Sequence, residues 1–110
     1  MVAYVVATEQ VTDEATFGRY TKLVPETIEP FGGRLVVWRS HPRAKDARPQ
    51  LGVIKFPSRR QAKSWFRSAA YRRALSLRIG SSTGDIVITT GIDGLRRALQ
   101  ASCRVTMTLR

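Results

Sequence analysis

Apolar and polar positions alternate along this chain in two different periods, and the change of period marks out its elements. The opening run MVAYVVATEQ is rich in β-branched and aromatic residues and holds no breaker, so it predicts a first strand. From Val11 the period lengthens. Thr12 and Asp13 offer side-chain oxygens to the free amides of a helix start, and Glu14 suits the positive end of the helix dipole. Phe17, Tyr20, Val24 and Ile28 then recur at three- and four-residue spacing and share one face, with Arg19, Lys22, Glu26 and Glu29 mostly elsewhere. Pro25 deletes one helical hydrogen bond and predicts a kink near Leu23. Phe31 closes the apolar face, and Gly32-Gly33 permits a left-handed helix stop.

A second strand is expected over Arg34–Arg39. The polar run Ser40–Gln50, with two prolines, reads as a loop, and Leu51–Phe56 as a third strand returning beside the second. Pro57 stops it. Ser58 and Gln61 have the spacing of a capping box and start a second helix with Ala62, Trp65, Phe66 and Ala69 as its apolar stripe. A short helical piece near 70–77 follows, then a break at Gly80-Ser-Ser-Thr-Gly84, then a fourth strand over Asp85–Ile92. In the tail, Leu95, Ala98, Leu99 and Ser102 suit a short helix, while Val105, Met107 and Leu109 alternate as in a half-buried strand.

The order β-α-β-β-α-β defines an α+β, ferredoxin-like arrangement, a four-stranded antiparallel sheet with two helices on one face, followed by a C-terminal extension. The expected protomer is 1–93 and the extension 94–110. Within the strands, Tyr4 and Val6 oppose Val5 and Ala7, Leu35 and Val37 oppose Val36 and Trp38, and Ile86 and Ile88 oppose Val87. Both sheet faces are therefore apolar, and two helices cover only one. A second copy of the same sheet is the simplest cover, so a homodimer through the open face is expected.

The chain resembles the bacterial proteins called domain of unknown function 1330, within the dimeric α/β-barrel superfamily. The resemblance is carried by Tyr4-Val-Val, Val11-Thr-Asp13, Tyr20, Val24-Pro25, Phe31-Gly-Gly-Arg34, Phe56-Pro57-Ser58, Ala62, Trp65-Phe66, Ser68, Tyr71, Leu77-Arg78 and the strand ending at Gly91. The chain departs from the usual family pattern after the second strand, where it has Arg39-Ser-His-Pro and Lys45-Asp-Ala, and at Lys55, where relatives commonly carry Glu. Residues beyond Asp93 have no counterpart in it. The resemblance implies a dimeric α/β barrel with a small cleft between sheet and helices. In such clefts relatives carry out cofactor-independent oxygenation, isomerisation of small ring compounds, or haem handling.

Composition narrows the chemistry. The 110 residues suit one domain that buries roughly two-thirds of its unfolded surface. A single cysteine, Cys103, excludes an internal disulfide and a cysteine-based zinc cluster, and reads as a bystander. A single histidine, His41, excludes a histidine metal triad within one chain. No metal and no cofactor is expected. There is no P-loop, GxGxxG or nucleophile-elbow motif. The opening apolar run lacks a basic n-region and is too short to span a bilayer, so a cytoplasmic protein without a membrane partner is expected.

Candidate ligand-binding residues are Tyr4, Tyr20, Trp65 and Arg78. Core packing accounts most simply for Trp65 and Tyr71, whereas Tyr20 is placed to orient an oxygenated ligand. Arg78 is a candidate for an anionic group, the alternatives being Asp85 or a helix carboxyl end. As catalytic groups, Tyr20, Arg78 and His41 are the candidates. His41 lies in the expected loop beside Pro42, where an exposed histidine is the simpler reading, and Asp13 is accounted for as a helix cap. On this reading the protein handles a small organic acid or aromatic compound, and any activity would be a cofactor-independent isomerase or monooxygenase type.

Charge supplies the alternative. Nineteen Lys+Arg against eight Asp+Glu give +11. Between Arg34 and Arg78 there are thirteen basic residues and one acid, Asp46. Arg59, Lys63 and Arg67, with Arg60 beside them, form a ridge on the second helix that suits a polyanion or nucleic-acid backbone. No RNA-recognition aromatic motif or helix-turn-helix accompanies it, and a solvated basic face explains the same residues.

Overall fold

The computed structural model describes residues 1–39 and 50–108, with side chains except at 37–39 and 101–108. Its elements are β1 (Ala3–Val11), α1 (Glu14–Ile28), a 3-10 turn (Glu29–Phe31), β2 (Arg34–Arg39), β3 (Gln50–Phe56), α2 (Arg59–Arg67), α3 (Ala69–Ser81), β4 (Ser82–Thr90) and α4 (Gly91–Thr108). The four strands form one antiparallel sheet in the order β2-β3-β1-β4. This is the expected ferredoxin-like arrangement with a helical C-terminal extension.

Local chemistry accounts for the boundaries. Asp13 caps α1 by accepting from the Thr16 amide at 3.2 Å and the Thr16 hydroxyl at 2.8 Å. The helix continues through the exposed Pro25 to Ile28. Gly32, at φ 74°, then turns the chain left-handed, and its amide returns to the Glu29 carbonyl at 3.0 Å. A Cβ on Gly33 would lie 2.6 Å from the Phe56 ring, so only glycine lets β2 enter this close to the core.

Ser58 caps α2 through the Gln61 amide at 3.2 Å. The Gln61 side chain does not close the expected reciprocal box. It takes the Ser58 hydroxyl at 3.1 Å and donates to the Phe31 carbonyl at 3.2 Å, tying α2 to the 3-10 turn. Ser68 separates α2 from α3 by serving both. Its hydroxyl donates to the Trp65 carbonyl at 2.7 Å and accepts from the Tyr71 amide at 3.2 Å.

Three local expectations are corrected. The glycine-rich break at 80–84 is not a loop: α3 runs through Gly80 to Ser81 and β4 begins at Ser82. The junction is held by the Thr12 and Asp13 amides, which both donate to the Ser81 carbonyl, at 2.8 and 3.1 Å. Gly84 sits inside the strand at φ 155°, where a Cβ would run into the Thr8 carbonyl oxygen. Strict alternation fails in β2, because a bulge lies between Leu35 and Val37, so Leu35 pairs with Ile54, and Trp38 with Gly52. The strand expected over 105–109 is replaced through Thr108 by α4, a single continuous helix. Once its first turns dock on the sheet, each added residue gains a helical hydrogen bond, which outweighs β-propensity at Val105.

The core has two parts. On the inner face of the sheet, Val5, Ile54 and Phe56 pack with Phe17, Tyr20 and Ile28 of α1 and with Trp65 and Tyr71 of α2 and α3. On the outer face, Tyr4, Val6 and Val53 pack under Leu95, Ala98 and Leu99 of α4. Two helices on one face would leave the other open, but the chain covers the centre of that face itself. Val87, which shares it through pairing with Val6, is still 47% exposed.

Candidate functional site

The inner face contains a cleft of about 240 Å³ between the sheet and α1. Its floor follows from sequence. Ala7 of β1 pairs with Gly52 of β3, so the sheet offers only a methyl group where its neighbours offer Val5 and Ile54. α1 arches over this gap with Tyr20, Thr21, Val24, Pro25 and Ile28, and Leu35 of β2 closes one side. The walls are chiefly apolar.

One lining residue is charged. Glu9 follows Val5 and Ala7 at two-residue spacing on β1, which directs it inward. It is 1% exposed, and its Oε1 accepts from Arg78 Nε of α3 at 3.2 Å. Arg78 is itself 8% exposed. Burial pushes the Glu9 carboxyl above its ordinary value, and the guanidinium pulls it back. Beside the pair, the Tyr20 and Tyr71 hydroxyls share a buried hydrogen bond of 3.0 Å, with the rings edge-on at 65°. Burial above all, then Tyr71, pushes the Tyr20 phenol up, and burial does the same at Tyr71. Both phenols therefore stay neutral at ordinary pH and cannot act as phenolate bases. Glu9 is the lining group able to hold or release a proton.

The expected ligand residues are divided by the fold. Tyr20 lines the cleft, and Arg78 reaches its edge through Glu9. Tyr4 lies on the opposite face of the sheet under α4. Trp65 sits in the inner core, its indole donating to Thr27 Oγ1 at 2.9 Å and its ring 4.1 Å from that of Tyr71. Arg78 meets neither Asp85 nor a free anion, because Glu9 is its partner. Glu9 was missed as a site residue, although strand alternation from Ala3 through Val5 and Ala7 already points it inward. His41 and the basic loop around it lie outside the described residues, as does the Cys103 side chain. Arg59, Arg60, Lys63 and Arg67 are all exposed on α2, which contributes nothing to the cleft. Among the described residues no group of three His, Cys, Asp or Glu is placed to hold a metal ion, and no helix is long and apolar enough to cross a membrane.

Solved structures place this architecture in a known class of fold. SnoaB, a cofactor-independent oxygenase from Streptomyces nogalater, superposes with a TM-score of 0.65 over 82% of this chain and 92% of its own, at 10% identity. A protein of unknown function from Rhodopseudomonas palustris gives 0.63 over 83% and 82%, at 11% identity. Rv0793 from Mycobacterium tuberculosis gives 0.54 over 81% and 91%, at 15% identity. At such identities the likeness is one of fold alone, and that fold is ferredoxin-like α+β. Comparison with curated proteins found no match. The family is nonetheless defined: the model described as Domain of unknown function (DUF1330) matches residues 2–92, and the chain belongs to that family.

Proposed function

We propose that this protein binds a small organic molecule in the cleft between the sheet and α1. The observation that carries the reading is the cleft itself: an apolar space of about 240 Å³ with one buried charged group at its wall. Ligand sites combine an apolar lining with a few placed polar groups in this way, and drug-sized sites run to roughly 300–1,000 Å³, so the ligand here is smaller. The cofactor-independent oxygenase among the structural neighbours supports a small organic ligand, by analogy of fold. Any proton transfer in the cleft would fall to Glu9, with Tyr20 shaping the wall and Arg78 holding the carboxylate in place.

Filling the floor tests this. Small aromatic compounds should give saturation-transfer signals in ligand-observed NMR with the wild-type protein, and Ala7→Phe should abolish them. Signals that survive in a folded Ala7→Phe protein would place binding elsewhere.

A second reading rests on the four exposed cations of α2 and takes that ridge as a polyanion-binding surface. Charge reversal at Arg59 and Lys63 should then lower nucleic-acid affinity and flatten its salt dependence. Binding confined to low salt would leave the ridge as a solvated surface. A homodimer is also proposed, through the part of the outer face around Val87 that α4 leaves open. Light scattering should report a dimer that Val87→Lys dissociates.

A further inference from the structure

Glu9 uses only half of its carboxylate. Oε1 is bonded to Arg78, whereas Oε2 is buried and has no hydrogen-bond partner among the described residues. Gln50 pairs directly with Glu9 across β1 and β3, and its Oε1 is likewise buried and without a partner. Arg78 Nη2, on the guanidinium already bonded to Glu9, is a buried donor in the same condition. Buried polar atoms in folded proteins are almost always satisfied, by protein or by water, and of these three residues Glu9 lines the cleft, so its Oε2 marks a place where a polar group is received.

The geometry points to the class of ligand: resting on the small-molecule reading above, we infer that the cleft selects a neutral compound with an apolar body and a hydroxyl group, whose proton is donated to Glu9 Oε2. Three charge states compete for this position. An organic acid would bring a second carboxylate against Glu9 in a low-dielectric space, and Arg78, the cation beside it among the described residues, is already committed to Glu9. An amine would add a net charge to an ion pair that is already balanced, without the water that solvates an ammonium outside. A neutral hydroxyl avoids both costs. It donates to an ionised acceptor, the stronger kind of hydrogen bond, and its own lone pairs suit a donor such as Nη2. The two tyrosine hydroxyls do not meet this need, because they are bonded to each other. Of the two ligand classes expected, a small organic acid or an aromatic compound positioned by Tyr20 and Arg78, this assignment disfavours the acid and gives the polar contact to Glu9.

Four single-ring probes separate these cases: phenol, toluene, benzoate and benzylamine, titrated calorimetrically or by NMR at neutral pH. Phenol should bind about tenfold or more tightly than toluene, its near-isostere, and more tightly than either ion. The phenol advantage should vanish in Glu9→Gln, judged against toluene in the same variant. Should that protein fail to fold, Glu9→Met/Arg78→Met removes both charges together and should bind toluene as before while losing the preference for phenol. Equal binding of phenol and toluene, tighter binding of benzoate or benzylamine, or a phenol advantage that survives the double substitution would each overturn the donor assignment. In all of those cases Ala7→Phe would still abolish binding, and the cleft reading would stand. If no probe binds, or if binding ignores Ala7→Phe, the cleft reading itself fails and the donor assignment fails with it.

Discussion

The two faces of the sheet start from the same strand alternation and become different environments. On the inner face, Val5, Ile54 and Phe56 lie beneath an aromatic layer in which Trp65 is 4.1 Å from Tyr71 and 5.4 Å from Phe56. On the outer face, Tyr4, Val6 and Val53 are buried by one helix, with Leu95, Ala98 and Leu99 only half-buried above them. The inner face is thicker, yet a gap opens there, because Ala7 and Gly52 coincide. It also holds the buried ion pair. A large core can absorb the cost of a cavity and two desolvated charges. A single-helix cover has little stability to spare, and its described contacts with the sheet are apolar. The candidate site accordingly lies on the inner face, and α4 backs the sheet behind it.

The largest expected effect tests the ion pair. Arg78→Met leaves the Glu9 carboxylate buried without its cation and should cost about 3–5 kcal/mol in urea denaturation. Glu9→Met/Arg78→Met removes both charges and should recover most of that loss. If the single substitution is as mild as the double, the pair is not desolvated as its burial implies, and the distinction between the faces weakens.

Next in size is a direct contrast in packing. Ile28, 4% exposed over the cleft, should lose about 2–5 kcal/mol on truncation to alanine. Leu99→Ala on the outer face should lose about 1 kcal/mol, since its side chain keeps part of its contact with water. Equal losses would make the outer cluster a core in its own right.

How much of this was legible beforehand follows the range of each interaction. The succession of elements along the chain, the α1 face of Phe17, Tyr20, Val24 and Ile28, and the Asp13 and Ser58 caps depend on neighbours within a few residues, and the pattern displays them. The bulge after Leu35 does not show, because Val36 continues the apolar run without a break. The tail misleads because Val105 and Met107 fit a strand period within a helix, α4, that begins with the docking of Leu95 and Leu99 on the sheet. Glu9 was readable as an inward residue from its spacing alone. Its partner was not, since Arg78 lies 69 residues further on and the two meet only when α3 packs over β1. The cleft was implied by family resemblance, but its floor depends on the Ala7–Gly52 register.

A smaller effect is expected at the phenol pair. Tyr71→Phe keeps the ring in the aromatic layer and removes one hydroxyl, leaving that of Tyr20 buried without its partner. The loss should be about 1 kcal/mol. A probe bound in the cleft should move little, because the tyrosine hydroxyls turn toward each other. A large drop in phenol affinity would instead mean that Tyr71 acts on the ligand through Tyr20.

The smallest effect is one of pH, because it is the remainder of two opposing influences on Glu9. Burial raises its carboxyl above the ordinary 4.5, and Arg78 offsets part of the rise. With the folded value above the unfolded one, the native state holds the proton more tightly. The stability this confers is fully present below pH 4.5 and is lost as pH rises through the folded value. Asp13 runs the other way in a lower window. The Thr16 hydroxyl and amide hold its carboxyl below 3.8, so its contribution is present above that pH and fades as pH falls through the folded value. From pH 4.5 upward the two are therefore separable. Denaturation midpoints of the wild type should decline relative to those of Glu9→Met/Arg78→Met as pH rises. A relative increase over that range would mean that Arg78 dominates burial, and that Glu9 is held as a fixed anion rather than as a carboxyl poised to exchange its proton.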